Sequence, residues 1–269
     1  METRSARIAL RLATGFTLAF LYIPLAVIAL YAFNQTRIQT WPISGLTLSW
    51  WEKAFHNPGV RDAVIRSVEA ALGATLIAMV LGTLAALAVN RYRFFGRETI
   101  SFLVILPIAL PGIVTGMALN ATFRTVFEPF GVSFGIFTII VGHATFCIVV
   151  MYNNVLARLR RSAGSIEEAS GDLGADTWQT FRYITLPLTK TALLAGGLLA
   201  FALSFDEVIV TTFTAGPVQT VPLWILQNLS RPNQLPIVNV VAVSLILLSA
   251  IPVYIASRIA QESGILRRR

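Results

Sequence analysis

Long stretches without charged residues dominate the pattern of polar and apolar positions along the chain. A membrane helix requires about 20 mostly apolar residues. Five uncharged stretches reach that length: residues 12–36, 70–89, 99–123, 129–157 and 232–257. A sixth stretch, residues 191–213, is interrupted only by Asp206 and Glu207. The pattern lacks the alternation of a membrane strand, so it predicts an all-α, polytopic membrane protein of six transmembrane helices.

The composition agrees with this interpretation. Hydrophobic residues make up 55% of the 269 positions and charged residues only 13%, whereas soluble domains carry about 25% charged residues. Arg4, Arg7 and Arg11 resemble the start of a secretory signal peptide. The uncharged stretch after them is longer than the apolar core of a signal peptide, so we expect a first membrane helix there.

The positive charges are distributed unevenly between the two sides of the predicted spans. If the N-terminus is cytoplasmic, the inner segments carry 15 Lys and Arg residues and the outer segments carry 6. Cytoplasmic loops are normally the richer in positive charge. We therefore expect both termini in the cytoplasm, and we attribute the net charge of +8 to membrane topology rather than to nucleic-acid binding.

The longest predicted cytoplasmic segment, residues 158–190, has the signals of ordered structure. Ser165 followed by Glu168 is the spacing of a capping box at a helix start. Gly174 is placed to end that helix in a left-handed conformation. Asp176 followed by Gln179 resembles a second start.

Leu186-Pro187 is predicted to close the second helix, because the residue before a proline avoids the α region. We call residues 165–187 the elbow. Two short helices at a glycine corner suit a groove on a soluble partner. An amphipathic loop on lipid headgroups fits the spacing equally well.

The residues of the elbow resemble the EAA loop of bacterial ABC importer permeases. That pattern reads E-A-A, three residues, G, nine residues, I-x-L-P, and the spacing matches throughout, with serine in place of the second alanine. In that family the loop is a coupling helix that docks on the ATPase. The resemblance implies coupling roles for Glu168, Ala169, Ser170, Gly174, Ile184, Leu186 and Pro187.

Further segments resemble the second permease of spermidine/putrescine importers. They are residues 21–24, 31–34, 91–94 and 203–207, and residues 142–147 resemble the polyamine or 4-aminobutyrate branch. The resemblance implies a type I ABC importer permease fold in a bacterial inner membrane. It implies four partners: ATP-binding cassette subunits that form a homodimer, a second homologous permease, an external substrate-binding protein and membrane lipid.

The implied organisation has three parts. Residues 1–63 form the first transmembrane helix and an outer loop, residues 64–260 the permease domain, and residues 261–269 a basic tail. The outer loop carries Trp41, Trp50, Trp51 and Phe55, which favour the membrane interface. We expect an amphipathic segment there, with plain interfacial anchoring as the alternative.

Asp206 and Glu207 are the acidic residues placed well inside an apolar stretch. Asp206 lies about 22 Å along a helix that starts at position 191, where a charge is costly unless it faces water or a partner. We predict a cation-attracting substrate path formed by Asp206, Glu207, Ser204 and Trp50. The alternatives are a structural ion pair, or a helix that ends at Phe205 and is then short for a span.

The cargo is expected to be a small amine. Polyamine permeases usually have Pro-Asp where this chain has Pro111-Gly112, so the missing carboxylate favours a shorter amine such as putrescine or 4-aminobutyrate. His143 is expected to be a packed, hydrogen-bonded residue. His56 is far from it in sequence, and no metal site or cofactor is predicted.

The chain contains no P-loop motif. Its two lysines, Lys53 and Lys190, follow Glu52 and Thr189 instead of the required glycine. The chain is therefore not expected to be an enzyme, and ATP hydrolysis must come from a partner. A secondary transporter that works without an ATPase is the competing class, but it does not explain the elbow.

Overall fold

A computed structural model describes residues 4–161 and 165–265. In these ranges the regular structure is helical, apart from one isolated bridge between Asn34 and Leu46. The described helices are α1 (Arg4–Tyr31), α2 (Ser49–Phe55), α3 (Pro58–Arg91), α4 (Arg97–Ala109), α5 (Gly112–Thr122), α6 (Ile136–Arg161), α7 (Ser165–Asp172), α8 (Thr177–Thr180), α9 (Leu186–Phe205), α10 (Ile209–Thr214), α11 (Val221–Asn228) and α12 (Leu235–Ile265). The basic tail from position 266 lies outside the described residues.

The described helices confirm the prediction of an all-α membrane protein. Five helical spans in the described residues are long and apolar enough to cross a membrane: Ala6–Tyr31, Pro58–Arg91, Ile136–Arg161, Thr177–Phe205 and Leu235–Ile255. A sixth candidate span is a pair of helices, Arg97–Ala109 and Gly112–Phe130, that meet at an angle of 105°.

The sequence predicted one continuous helix over residues 99–123, but this span is broken into two helices. Leu110 is extended, with φ −81° and ψ 144°, because Pro111 disfavours the α region in the residue before it. We call residues 110–111 the bend. Past the bend, α5 continues through a π-helical turn, Phe123–Phe127, and a 3₁₀ turn, Glu128–Phe130.

The chain divides into two compact units. The first contains the residues up to Arg61 together with Trp224–Leu247, and the second contains Asp62–Leu223 and the chain from Leu248 onward. In the first unit, α1 exposes its apolar side chains along its length, as a lipid-facing helix does.

Helix α6 is the centre of the second unit. Cys147, Met151, Tyr152 and Val155 are buried along it with small residues from α3 and α9 around them. Gly82 of α3 lies so close that a Cβ there would come within 2.8 Å of the Met151 Cβ. Small residues allow close helix approach in this way, which is the usual packing device in membranes.

The second arm of the elbow does not end at Pro187, contrary to the prediction. Leu186 is helical, with φ −64° and ψ −47°, and Thr177–Phe205 forms one 29-residue helical span. A π-helical turn, Phe181–Thr185, directly precedes the proline. Such a turn widens the helix, which accommodates the proline ring and its missing N–H group.

Candidate functional site

The corner of the elbow has the predicted left-handed glycine. Gly174 has φ +83°, and no atom lies within 4 Å of a Cβ built on it. The backbone conformation, and not lack of space, is therefore what requires glycine here. The Gly174 N–H donates to the Gly171 carbonyl at 2.9 Å and the Ala175 N–H to the Ser170 carbonyl at 3.1 Å, so the end of α7 is closed.

The second helix start of the elbow is also confirmed. The Asp176 carboxylate accepts the Gln179 N–H at 2.7 Å, and the Asp176 N–H donates to the Gln179 side-chain oxygen at 2.9 Å. This reciprocal pair is a capping box. The other predicted box, Ser165 with Glu168, stays a prediction because α7 begins at Ser165 and residues 162–164 lie outside the described residues.

An ion pair joins the elbow to the end of α3. Arg91 Nη2 lies 2.8 Å from Glu167 Oε1, and Arg91 Nε donates to Glu167 Oε2 at 3.0 Å. The Thr185 hydroxyl accepts from Arg91 Nη2 at 2.7 Å and donates to Glu167 Oε1 at 2.6 Å. We call Arg91, Glu167 and Thr185 the brace.

The brace shifts the acidity of its glutamate. Burial alone raises the pKa of the Glu167 carboxyl, but the hydrogen bonds from Arg91 and Thr185 and the charge of Arg91 outweigh it, so the pKa lies below its usual range. Glu167 is therefore ionised at neutral pH and holds α7 to both α3 and the second arm of the elbow.

A second contact inside the elbow accounts for the serine in its E-A-S sequence. The Ser170 hydroxyl lies 3.0 Å from the Thr180 hydroxyl, and both residues are buried. Alanine at position 170 would leave the buried Thr180 hydroxyl without this partner. The departure from the family pattern is thus matched by a hydroxyl on the facing arm.

The elbow exposes several large apolar side chains. Leu173 is 89% exposed, Tyr183 70% and Trp178 64%. Glu168 and Ala169 are exposed on α7, Ile184 is half-buried, and Leu186 and Pro187 are the first two residues of α9. The candidate coupling residues therefore divide between α7 with its corner and the start of α9, which we call the stem of the elbow.

The predicted position of Asp206 inside a continuous helix is wrong. Helix α9 ends at Phe205, and α10 begins at Ile209. We call residues 206–208 the break. A span that ends at Phe205 is still long enough to cross the membrane, because it starts at Thr177, 14 positions before the expected start.

The two carboxylates at the break have different surroundings. Glu207 Oε1 accepts the N–H groups of Ile209 and Val210 at 2.8 and 2.9 Å, so it caps the start of α10. Asp206 is exposed and directly follows the last residue of α9. In the part of the chain that the structure describes, neither carboxylate forms a salt bridge.

The other two predicted path residues are buried. Ser204 is in hydrogen-bond contact with His143 and is 2% exposed. Trp50 lies in the first compact unit, where its indole N–H donates to the Asn34 carbonyl at 2.9 Å. Both side chains are buried within this chain, and their assignment to the substrate path stays a prediction.

His143 is packed and hydrogen-bonded, as predicted. Its Nδ1 lies 2.8 Å from the Ser204 hydroxyl in α9, and its Nε2 lies 2.8 Å from the Thr211 hydroxyl in α10. The residue is fully buried. The ring thus connects α6 to both helices that flank the break.

The bend and the break lie side by side. A Cβ on Gly112, the first residue of α5, would come 3.6 Å from Ile209 at the start of α10. One turn further along, Gly116 packs against the Phe213 ring, and the Asn120 side-chain amide donates to the Phe213 carbonyl at 2.6 Å. Two interrupted helices therefore meet at one place in the second unit.

Sequence reasoning missed the brace and the His143 contacts. Arg91 and Thr185 are 94 positions apart, and no local pattern links them. Glu167 stands next to Glu168, and only the direction of each side chain on α7 distinguishes their roles. In the described residues, no group of three or more His, Cys, Asp or Glu side chains forms a possible metal site.

Comparisons with known proteins agree on one family. Residues 78–262 match the family described as the binding-protein-dependent transport system inner membrane component. The spermidine/putrescine transport system permease protein PotC of Haemophilus influenzae is 33% identical, over 91% of this chain and 94% of its own. The putrescine transport system permease protein PotI of Escherichia coli is 34% identical, over 85% of this chain and 81% of its own.

Solved structures show the same fold. A chain of a bacterial alginate ABC transporter, crystallised with an alginate-bound periplasmic protein, matches with a TM-score of 0.72 at 17% identity, over 95% of this chain and 93% of that chain. A chain of the inward-facing MetNI methionine ABC transporter matches with a TM-score of 0.58 at 18% identity, over 77% of this chain and 98% of that chain. The chain belongs to the family of binding-protein-dependent transport system inner membrane components, and it is a multi-pass permease subunit of an ABC importer.

Proposed function

We propose that the chain moves a small amine inward by alternating access, driven by ATP hydrolysis in separate cassette subunits. The observation that carries the proposal is the elbow, because a docking knob is needed only if another protein supplies the energy. Its apolar tip of Leu173, Trp178 and Tyr183 offers the surface, and the brace gives it a rigid base.

The energy is transmitted through the stem of the elbow. Thr177–Phe205 is one helical span, so a push on the elbow acts on the same helix that ends at the break. The movement produced when two identical ATP-binding cassette subunits close would thereby be transmitted to Asp206 without passing through a flexible linker. A second, homologous permease completes the pathway, because the described residues of one chain supply up to six candidate spans.

The proposed orientation places the elbow and both termini in the cytoplasm of a bacterial cell with the permease in the inner membrane. The excess of Lys and Arg on that side supports it. The outer loop with α2 then faces the external substrate-binding protein. Because Trp50 is buried within this loop, as part of α2, we assign it to the shape of the docking surface.

The cargo is proposed to carry an ammonium group. The names of the relatives specify spermidine and putrescine, and a further relative, the 2-aminoethylphosphonate transport system permease protein PhnV of Salmonella typhimurium, is 29% identical over 91% of this chain and 92% of its own. Each of these compounds has an amino group. Asp206 is the carboxylate available to it, because Glu207 already caps α10.

The carboxyl end of α9 at the break adds to the attraction for a cation. The last carbonyl groups of α9 have no intrahelical partner, and the carboxyl end of a helix carries partial negative charge. Discontinuous helices position ions in this way in other transporters. We propose that the ammonium group passes between Asp206 and the neighbouring bend.

Reconstitution of the permease with its ATPase and partner permease in proteoliposomes tests the proposal. The loaded binding protein is added outside, ATP is enclosed, and accumulation of radiolabelled putrescine, spermidine or 4-aminobutyrate is measured with ATP hydrolysis. We expect amine uptake that requires ATP and this chain. Uptake that persists without the ATPase would support a secondary transporter and refute the proposal.

A further inference from the structure

We propose that His143 is a positioning residue that fixes the direction of the Asp206 carboxylate by holding both sides of the break to α6. The proposal rests on the substrate path proposed above. The motivating observation is that one fully buried ring contacts the last turn of α9 and the first turn of α10.

The hydrogen atoms around the ring can be assigned from the contacts. The Thr211 hydroxyl donates to the Glu207 carbonyl at 2.7 Å, and a hydroxyl has a single hydrogen. Thr211 therefore accepts from the ring, so Nε2 carries the hydrogen. In the neutral ring Nδ1 is then the acceptor, and the Ser204 hydroxyl donates to it. The chain of donors runs from Ser204 through His143 and Thr211 to the backbone of the break.

Helix α10 needs such support because it is short. Its six residues, Ile209–Thr214, are far fewer than an isolated helix requires for stability. Its direction must come from contacts with its neighbours. The Thr138 hydroxyl of α6 donates to the Thr214 carbonyl at 2.7 Å, which holds the far end. His143 holds the end next to the break.

The backbone packing leaves little room for movement at this point. A Cβ on Gly142 would lie 3.2 Å from the Val210 side chain and 3.4 Å from that of Thr214. Helices α6 and α10 are therefore almost in contact beside the ring. The break has only three residues between its two anchored ends, so the direction of Asp206 follows from where those ends are held.

The labelling rate of a cysteine at position 206 tests the inference in the assembled complex. Asp206→Cys is made in a Cys147→Ala background, since Cys147 is the native cysteine, and reaction with a small quaternary-ammonium methanethiosulfonate reagent is timed. We expect His143→Phe to change the rate about tenfold, because both polar contacts of the ring are lost. His143→Gln, which keeps one donor and one acceptor, should restore most of the original rate.

Two matched variants separate positioning from general damage. Thr145→Val changes a threonine two positions along α6 whose hydroxyl bonds within its own helix, and it should leave the rate unchanged. Thr211→Val removes one link of the chain and should shift the rate in the same direction as His143→Phe. It also carries the test if His143→Phe fails to reach the membrane.

The outcomes of this test do not depend on transport. Unchanged labelling at position 206 in both His143→Phe and Thr211→Val would overturn the inference while leaving the proposed function intact. A changed labelling rate at position 206 in these variants would support His143 as the anchor of the break. Normal amine uptake by Asp206→Asn would separately refute Asp206 as a substrate residue.

Discussion

Removing the charge of Glu167 tests whether the brace holds the elbow against α3. Exposed ion pairs contribute about 0.2–1 kcal/mol, whereas removing one partner of a buried pair costs about 3–5 kcal/mol. The Arg91 and Glu167 side chains are 20% and 28% exposed, and Glu167→Gln keeps an acceptor oxygen for Thr185. We therefore expect a loss of about 1–2 kcal/mol, between these two limits.

A loss of that size raises the population of loosened elbows about 5–30-fold. Tryptic cleavage after Arg182, which lies inside the π-helical turn, requires local unfolding and should accelerate by a similar factor. In proteoliposomes, fewer substrate molecules should enter per ATP hydrolysed. Asp172→Asn is the matched control, since Asp172 is an exposed carboxylate at the end of the same helix.

The pairing itself is tested by a double variant. Arg91→Gln combined with Glu167→Gln should cost little more than either change alone, because each single change already removes the ion pair. The lowered pKa of Glu167 adds a pH dependence with a defined sign: the brace is fully formed above the ordinary pKa of glutamate and is lost as the pH falls through the lowered value. Wild-type cleavage and coupling in Glu167→Gln, at normal membrane abundance, would refute the reasoning.

Three further predictions follow from the elbow, the topology and the bend. Gly174→Leu forces a side chain into a left-handed conformation at a cost of about 1–3 kcal/mol, so uptake should collapse at normal membrane abundance. The control Gly171→Ala, inside helix α7, should transport normally. Normal uptake by Gly174→Leu would refute the proposed role of the glycine corner. Asn57→Cys should react with a membrane-impermeant thiol reagent in intact cells and Leu173→Cys should be protected, and the reverse pattern would overturn the orientation. A Cβ at position 112 would make an ordinary contact with Ile209. Gly112→Asp should shift uptake competition towards spermidine over putrescine. Unchanged competition would show that the bend does not contact the cargo.

The parts of the fold that depend on neighbouring residues in the sequence could be predicted. Apolar stretches of sufficient length gave the spans, because the lipid interior forces every such segment into a helix. Gly174 and the Asp176–Gln179 pair gave the corner and the second start of the elbow, since both are local backbone requirements. The cytoplasmic location of the elbow rests on the distribution of Lys and Arg, and it stays a prediction.

The remaining features required information that a local pattern does not carry. Pro187 was expected to end a helix, but the preceding π-helical turn absorbs the missing donor, and that turn has no sequence signal of its own. Because the helix continues through Pro187, the span starts at Thr177 and is long enough although it ends at Phe205. Glu207 caps the start of α10. The sequence did not predict this role, because a residue can act as a cap only where a new helix begins.

The contacts that join distant segments were the hardest to predict. His143 was recognised as a packed residue, yet its partners Ser204 and Thr211 are 61 and 68 positions away. Ser204 was assigned to the substrate path, and nothing in the sequence indicated its buried contact with His143 of α6. Such assignments depend on which helix faces which, and tertiary packing alone decides that.

The most direct test of the central claim compares ATP-dependent putrescine uptake by the reconstituted wild-type complex and by Asp206→Asn. The change keeps the shape of the side chain and removes its charge, which leaves a desolvated ammonium group uncompensated at a cost of about 2–5 kcal/mol. We predict that uptake falls by at least about tenfold while the complex assembles and hydrolyses ATP, and that Glu207→Gln instead weakens the cap of α10 and lowers the amount of assembled complex. Uptake by Asp206→Asn at the wild-type rate would contradict the account.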